Sequence, residues 1–541
     1  LYFDLQKNPV LKEKSMKKLV TAVAIAGLTL PVLALATEFQ PIGALGMGGA
    51  GVARNNGALT AYWNPAGGAF QESPFAAHIG VGFGIRGSDG LAENVDRVND
   101  IKFDDVKTFN NNSDAKTVGN LVKMVAIIDD IGTRKGNIAL NAQVPVGFAI
   151  NRFSFGVYGN LEGYIRPMAD INNILPNTIS TDPNNASTKA TSVNDLYVAI
   201  SKNGATYQPG GYFSATERTN LTSQFSSSLA SDPGGLTAGQ KATQLVNAID
   251  IQLKAGNLPA DSTYTTLSEN LIPILKNPTG STFDRNTTSV MTKAIQYIEV
   301  PLSYGHPFEF GDYGRLGIGA TAKVISGTVY QNQILLVNRP NNDSTGSNDL
   351  AKDINKNSKG SVNFGLDLGA LYKYDKWLSV GLVAKNINSP KFDAPDYGVP
   401  EYNAITKKIV TSTKKVSGED VKLKPQLRTG IALEPLSWLT IAADLDLTSN
   451  DTVAPGTVVG SAAKSQNVGG GLEVHPYSWL RLRGGAYKNI AKSADIGTIL
   501  TAGVTLFILD IDGAFATDTF KMGSSSIPQE MKIQMVASFT F

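Results

Sequence analysis

The chain of 541 residues has a formal charge of +2 and contains no cysteine. That excludes disulfides, thiolate metal sites, a thiol nucleophile and a lipid-anchoring cysteine, and the balanced charge offers no basic surface for nucleic acid. A soluble chain of this length would form about three or four domains, but the 54 glycines spread along it suit another architecture.

Residues 1–15 read as a non-native or gene-model extension. Met16-Lys17-Lys18, an apolar run over 19–35 and Ala34-Leu35-Ala36 then read as the parts of a secretory signal peptide, residues 16–36, with the mature chain expected to start near Thr37. The flanks fit export better than a membrane anchor. No later run reaches the roughly 18 apolar residues of a spanning helix.

Residues 37–72 contain EFQPIGALGMGGAGVARNNGALTAYWNPAGGAF, too irregular and too rich in small residues for a spanning strand. Gly46, Gly48 and Gly51, with Gly49 among them, match the dinucleotide fingerprint GxGxxG. That fingerprint needs a buried strand before it and a helix after it. Here a cleavage site precedes it and Trp63-Asn64-Pro65-Ala66 follows, so nucleotide binding is rejected.

From residue 73 to 541 polarity alternates with period two, as in strands with one apolar face. Phe153, Phe155, Val157 and Leu161 oppose Ser154, Tyr158, Asn160 and Glu162; Leu439, Ile441, Ala443, Leu445 and Leu447 oppose Thr440, Ala442, Asp444, Asp446 and Thr448. Strands are expected at 75–85, 136–150, 153–165, 291–304, 314–330, 360–373, 376–388, 425–434, 438–448, 465–474, 478–488, 495–507, 509–518 and 530–541, about 14 in all. Short turns and long loops alternate, as on the two sides of an outer-membrane barrel. The turn between Phe507 and Asp510 lacks Gly, Pro or Asn, so about 12 or 16 strands stay open.

Two long loops are expected to fold over the exterior. Residues 86–135 hold helical stretches near Val106 and at 118–128. The insert 169–290 holds helices at 237–255 and 267–276, since so long a loop without structure is unusual. Later, three turns lead into Trp377, Trp438 and Trp479, each followed by leucine; these aromatics suit a membrane boundary on the periplasmic side. The chain closes on Phe539 and Phe541, which resemble the insertion signal that barrels present to their assembly machinery.

The same register turns Asp367, Lys385, Arg428, Asp444, Asp446, Glu473, Arg481, Arg483 and Asp512 inward, because Arg or Lys facing mid-membrane lipid costs about 2–4 kcal/mol. Arg428, Asp444, Asp446, Glu473, Arg481 and Arg483 lie on consecutive strands and are expected to form one cluster. It would fasten the 37–72 segment, so that Arg481→Ala with Arg483→Ala raises conductance. Gly469, Gly470 and Gly471 either weaken their strand or supply packing space. Around the three histidines no HExxH, no GxSxG and no tight carboxylate–histidine grouping is visible in the sequence, and neither enzyme, metal nor cofactor is expected.

Gly46-Met47-Gly48-Gly49-Ala50-Gly51 leading into Asn64-Pro65-Ala66-Gly67 resembles the FadL-like family of long-chain fatty-acid and hydrocarbon transporters. FGLDLGALYKYDKWLSVGLVAKNI, PQLRTGIALEPLSWLTIAADLDLT and GGGLEVHPYSWLRLRGGAY are still more similar to the barrels named conjugal transfer protein TraF. The resemblance implies an all-β transmembrane barrel with the N-terminal segment as a hatch in its lumen. It does not reach the 169–290 insert. It implies a Gram-negative outer membrane, both chain ends periplasmic, and passive uptake of small hydrophobic molecules. The alternative is a structural barrel of conjugation, secretion or surface organisation, with the insert as interaction surface. Outer-membrane lipid is a necessary partner, and the oligomeric state stays open.

Overall fold

Isolated strands leave edge N–H and C=O groups unpaired, and closing the sheet on itself satisfies them all. In the computed structural model fourteen strands close in chain order into one antiparallel barrel. They are β1 (Phe75–Gly87), β2 (Ile138–Ile150), β3 (Phe153–Met168), β4 (Ser289–Glu309), β5 (Arg315–Leu335), β6 (Ser358–Tyr374) and β7 (Leu378–Lys385). The circuit continues through β8 (Gln426–Leu436), β9 (Leu439–Asp446), β10 (Asn467–Tyr477), β11 (Leu480–Asn489), β12 (Ile499–Leu506), β13 (Leu509–Ala516) and β14 (Glu530–Thr540). It closes where β1 pairs with β14, from Ala76↔Thr540 to Arg86↔Glu530.

The structure describes residues 41–54, 57–87, 136–170, 206–227, 235–254, 285–335, 356–454, 464–491, 497–522 and 525–541, with isolated positions between 173 and 268. The expected signal peptide, the helices expected near Val106 and at 118–128, and most of the one expected at 267–276 lie outside the described residues.

The two faces of the wall differ as alternation requires. Outside, Ile79, Val81, Phe155, Leu302, Val324, Phe364, Leu368, Ile533 and Met535 are exposed; inside, Gln143, Glu162, Glu299, Lys323, Asp367, Asp444, Asp512 and Lys532 are buried. An apolar belt around a polar interior suits hydrocarbon outside the cylinder. Among the described residues no helix is long and apolar enough to cross a membrane.

One end of the barrel carries tight turns, closed by pairs such as Ile150↔Phe153 and Leu506↔Leu509. Trp377, Trp438 and Trp479 all sit at this turn end, each nearly half exposed. Trp479 stacks between Tyr477 and Phe507, with centroids at 5.6 and 5.7 Å. Phe507 supplies the turn that lacks Gly, Pro or Asn by taking a left-handed φ of 57°. That conformation costs a side-chain-bearing residue about 1–2 kcal/mol. Phe541 also lies here, donating from its N–H to the Phe75 carbonyl at 3.0 Å.

The opposite, loop end departs from expectation in three ways. β4 and β5 run 21 residues each, past the expected 291–304 and 314–330, because polar residues such as Gln331 and Gln333 interrupt the apolar pattern beyond the lipid belt. The loop expected from 86 begins later, since Arg86 and Gly87 belong to β1, and Ser289 and Val290 of the expected insert belong to β4. Within the insert, α1 (Ala215–Ser226) starts at a Ser214/Glu217 capping box, and α2 (Ala238–Lys254) fills the helix expected at 237–255. Buried Asp250 of α2 accepts from the N–H groups of Gly211, Tyr212 and Phe213 at 2.9, 2.9 and 2.6 Å, and so fixes the approach to α1.

The third departure is the connection from β7 to β8. It was not expected to close the lumen, yet it folds as two small ribbons, Tyr397–Asn403 with Lys408–Val416 and Lys391–Phe392 with Val421–Lys422. The second ribbon turns into the barrel.

Candidate functional site

Three layers fill the lumen: an apolar chamber near the loop end, the hatch in the middle, and a polar vestibule at the turn end.

The hatch owes its path to small residues. Gly43, Gly48 and Gly49 adopt φ of 66°, 63° and 77°, a region open to glycine without penalty. Asn64 caps the turn Pro65–Phe70, accepting from Ala66 N at 3.1 Å, with Pro65 at the first helical position. Its amide also donates to the carbonyls of Ala370 and Val52, at 3.0 and 3.3 Å. Pro65 and Ala66 lie so close to Gly319 and Gly369 that a Cβ at either would overlap them. On the other side Met47 and Gly48 lie against Gly469, Gly471 and Gly485. Gly469 and Gly471 thus supply packing space, while the wall beside outward-facing Gly470 stays paired with β9 and β11. Gly51 rests on the ring of Trp63, whose Nε1 donates to Ile42 O at 2.8 Å.

The six inward charges divide between two levels rather than forming one patch: Asp444 faces Gly469, whereas Glu473 faces Thr440, four residues along the strand. At the first level Arg428 meets Asp444 and Asp446 at 3.2 and 3.0 Å. Asp444 accepts from Gly51 N and Val52 N at 2.9 and 3.0 Å, and Arg428 donates to Gly49 O at 2.9 Å. At the second, Glu473 meets Arg54 of the hatch at 3.1 Å and His475 at 2.6 Å. Arg483 reaches Asp510 at 2.6 Å, and Arg481 is half exposed, 3.9 Å from Glu473.

Other wall contacts escaped the sequence reading. Lys385 donates to Tyr62 O at 2.9 Å and lies over the Tyr62 ring, Gln534 accepts from Gly43 N at 3.2 Å, and Thr501 accepts from Gly48 N at 3.2 Å. Lys323 bridges Glu299 and Asp367 at 3.2 and 3.0 Å. Alternation places all of these inward, but nothing in sequence tells which one meets the hatch.

Above the hatch the lumen turns apolar. Tyr164, Ile295, Tyr297, Ile325 and Val329 face inward and bury Phe392, Ala394, Val421 and Leu423 of the β7–β8 connection, with Val453 from the β9–β10 loop. The Phe392 ring stacks on Tyr297 at 6.3 Å and 9°, over the bare face of Gly327, where a Cβ would come within 2.6 Å of it. At the exposed outer edge of the ribbon Lys391 meets Asp420 at 2.6 Å, and Asp420 also accepts from Ala394 N at 2.9 Å. The hydrogen bond from Lys391, with that from Ala394, holds the Asp420 carboxyl below its usual range.

Below the hatch a polar cavity of about 440 Å³ is lined by Arg54, His78, Glu473, Arg481, Arg483, Asp510 and Ser538. Among the described residues no cluster is arranged to hold a metal ion. Pro41, the first described residue, sits inside the lumen beside Tyr487 and Lys532, whereas the C-terminal strand ends at the turn side.

A family model described as F plasmid transfer operon, TraF, protein matches residues 61–446. No curated protein matches. Among solved structures, the P. putida toluene transporter TodX is similar at 9% identity and a TM-score of 0.40, covering 94% of this chain and 99% of that one. The Ralstonia pickettii toluene transporter TbuX is similar at 13% and 0.39, covering 94% and 99%. A Pseudomonas aeruginosa FadL homologue is similar at 11% and 0.34, covering 94% and 99%.

Proposed function

This chain belongs to the family described as F plasmid transfer operon, TraF, protein, and on that premise we propose a passive outer-membrane channel for small hydrophobic molecules. The observation that carries this reading is the apolar chamber at the loop end of the lumen. A barrel interior left to water would be polar throughout; here Tyr164, Ile295, Tyr297, Ile325 and Val329 make a surface that suits an apolar guest, and Phe392 occupies it. In this reading the turn end faces the periplasm and the β7–β8 connection faces the exterior. A solute displaces Phe392 from the chamber, passes the hatch as its polar fastenings loosen, and leaves by the vestibule. The energy comes from the solute's own gradient.

N-phenyl-1-naphthylamine, an apolar dye that brightens in membranes, tests this in cells expressing the protein. Expression should speed its entry, and Phe392→Ala should speed it further. Entry equal with and without the protein would defeat the channel reading.

A second reading, an assembly barrel for plasmid transfer, is favoured by the family's description and by a lumen filled at both the chamber and hatch levels. It predicts loss of transfer on deleting the gene, with dye entry unchanged.

A further inference from the structure

At the loop end four lysines stand on one ribbon without counter-charges. The ribbon of Tyr397–Asn403 with Lys408–Val416 exposes Lys407, Lys408, Lys414 and Lys415. None of the four has a carboxylate partner among the described residues. Nearby, Lys359 meets Asp393 at 3.1 Å, Lys391 meets Asp420 at 2.6 Å, and Lys424 pairs with Asp451. The ribbon is built to hold this array. Asn403 Oδ1 accepts from Ile405 N and Thr406 N at 3.0 and 2.9 Å and shapes the tip. A bulge between Thr411 and Lys415 is braced where Lys414 N donates to Ser412 Oγ at 3.2 Å. Beside each lysine pair stands an exposed aliphatic residue, Ile405 at 92% and Val416 at 41%. Charges on an edge strand deter pairing with other chains, but exposed aliphatic neighbours work against that purpose. The ribbon also sits near the membrane. Val362 is the last outward apolar residue of β6, and just beyond that strand Asn357 donates to Asp396 O at 2.9 Å, where the ribbon begins. That root lies roughly 16 Å along the chain from Val362, and lower in height because barrel strands tilt; the ribbon is long enough to reach back to the boundary.

We propose that this ribbon is a docking surface for the phosphorylated glycolipid of the outer leaflet. Lys407, Lys408, Lys414 and Lys415 meet its phosphates, and Ile405 enters the boundary with its acyl chains. Lysines beside aliphatic residues match an anionic amphiphile. A nucleic acid offers the same phosphates but is held by stacking on free aromatic rings, and the ribbon's tyrosines are engaged: Tyr402 lies under Arg285 at 4.7 Å, and Tyr397 is hydrogen-bonded to Gln331. The lipid also tethers the connection that carries Phe392, so the leaflet holds one end of the lumenal insertion. This inference rests on the outward orientation of the loop end in the channel reading, not on any solute.

Lipid A carrying both phosphates and lipid A stripped of them separate the two contributions. Each is titrated into the full chain in detergent micelles and followed by native mass spectrometry, with heat-modifiable gel mobility as the check on folding. Wild type should hold the phosphorylated form at least tenfold more tightly, and salt should shrink that preference because exposed charges are screened. Lys407→Gln, Lys408→Gln, Lys414→Gln and Lys415→Gln combined should abolish it with gel mobility unchanged, and the four changes to arginine should keep it. Ile405→Ser should weaken both forms. Equal affinity of wild type for the two forms, or an intact preference in the glutamine variant, overturns the phosphate contact. Wild-type affinity in Ile405→Ser overturns the apolar half. A single-stranded oligonucleotide held as tightly as lipid A, and released by the same glutamine changes, overturns the lipid assignment in favour of nucleic acid. Orientation is read separately. The chain has no cysteine, so Ile405→Cys should react with a membrane-impermeant maleimide on intact cells. Reaction only after lysis overturns the outward orientation and this inference with it, whereas equal dye entry with and without the protein overturns the channel reading and leaves the docking surface standing.

Discussion

Asn64 binds three parts of the molecule through one side chain. Its oxygen caps the turn that starts at Pro65, and its amide joins the hatch backbone at Val52 to the wall at Ala370. Replacing it by leucine leaves two buried carbonyls and one N–H without these partners, a loss of about 2–4 kcal/mol. Asn64→Leu should therefore lower the midpoint of thermal unfolding in nanodiscs and raise ion conductance in planar bilayers. Asp444 is the stronger fastening, because it accepts two hatch N–H groups while paired with Arg428. Asp444→Ala should open the lumen to ions far more than Arg481→Ala, since Arg481 is half exposed and only 3.9 Å from Glu473. Conductance equal in these two variants would show that the hatch is held by shape alone. The sequence reading favoured the arginine pair because charge and register were visible to it, whereas the backbone amides that Asp444 holds belong to a segment without regular pattern.

At the scale of elements, the strands were legible and the loops were not. Period-two alternation is a local property, so each of the fourteen strands could be found, even β12 and β13 across a turn that Phe507 forms against its preference. The β7–β8 connection carries no such signal. Its lumenal role depends on Phe392 meeting Tyr297 from 95 positions away in sequence, a contact that only closure of the barrel brings about. The hatch lay between these cases: its small residues set it apart from the strands, and Gly469 stood out as a strand weakener or a source of packing space, but Gly319, which takes Pro65 and Ala66 of the hatch, carried no mark of that contact. The loop also has a pH dependence of definite sign. Asp420 has its folded pKa lowered by Lys391 and Ala394. Its contribution is therefore present above the unfolded value of about 3.9 and is lost as pH falls through the folded value. Dye entry into proteoliposomes should rise as pH is taken from about 6 to about 3, and Asp420→Asn should flatten that rise by weakening closure already at neutral pH. Because the pair is exposed, the effect should be modest.

For the molecule as a whole, the wall is a closed frame, and on the channel reading passage depends on two insertions into it. The frame is continuous, with β1 sealed to β14, an apolar exterior and charges turned inward. The hatch is tied by ionic and amide contacts around much of the circumference, whereas the β7–β8 connection enters the chamber through apolar side chains and makes its polar ties nearer the rim, where Glu419 meets Lys293 at 3.0 Å and donates from its N–H to Gln331 at 2.9 Å. The outer insertion should therefore yield first to an apolar solute. The chain has no cysteine, so a single engineered pair is free of competing thiols. In Gly327→Cys with Phe392→Cys, placed where ring and bare backbone already touch, oxidation locks the connection inside the lumen. Entry of N-phenyl-1-naphthylamine into proteoliposomes should be blocked with the bridge formed and restored on reduction; equally fast entry through the verified oxidised and reduced forms would contradict a channel gated at the apolar chamber.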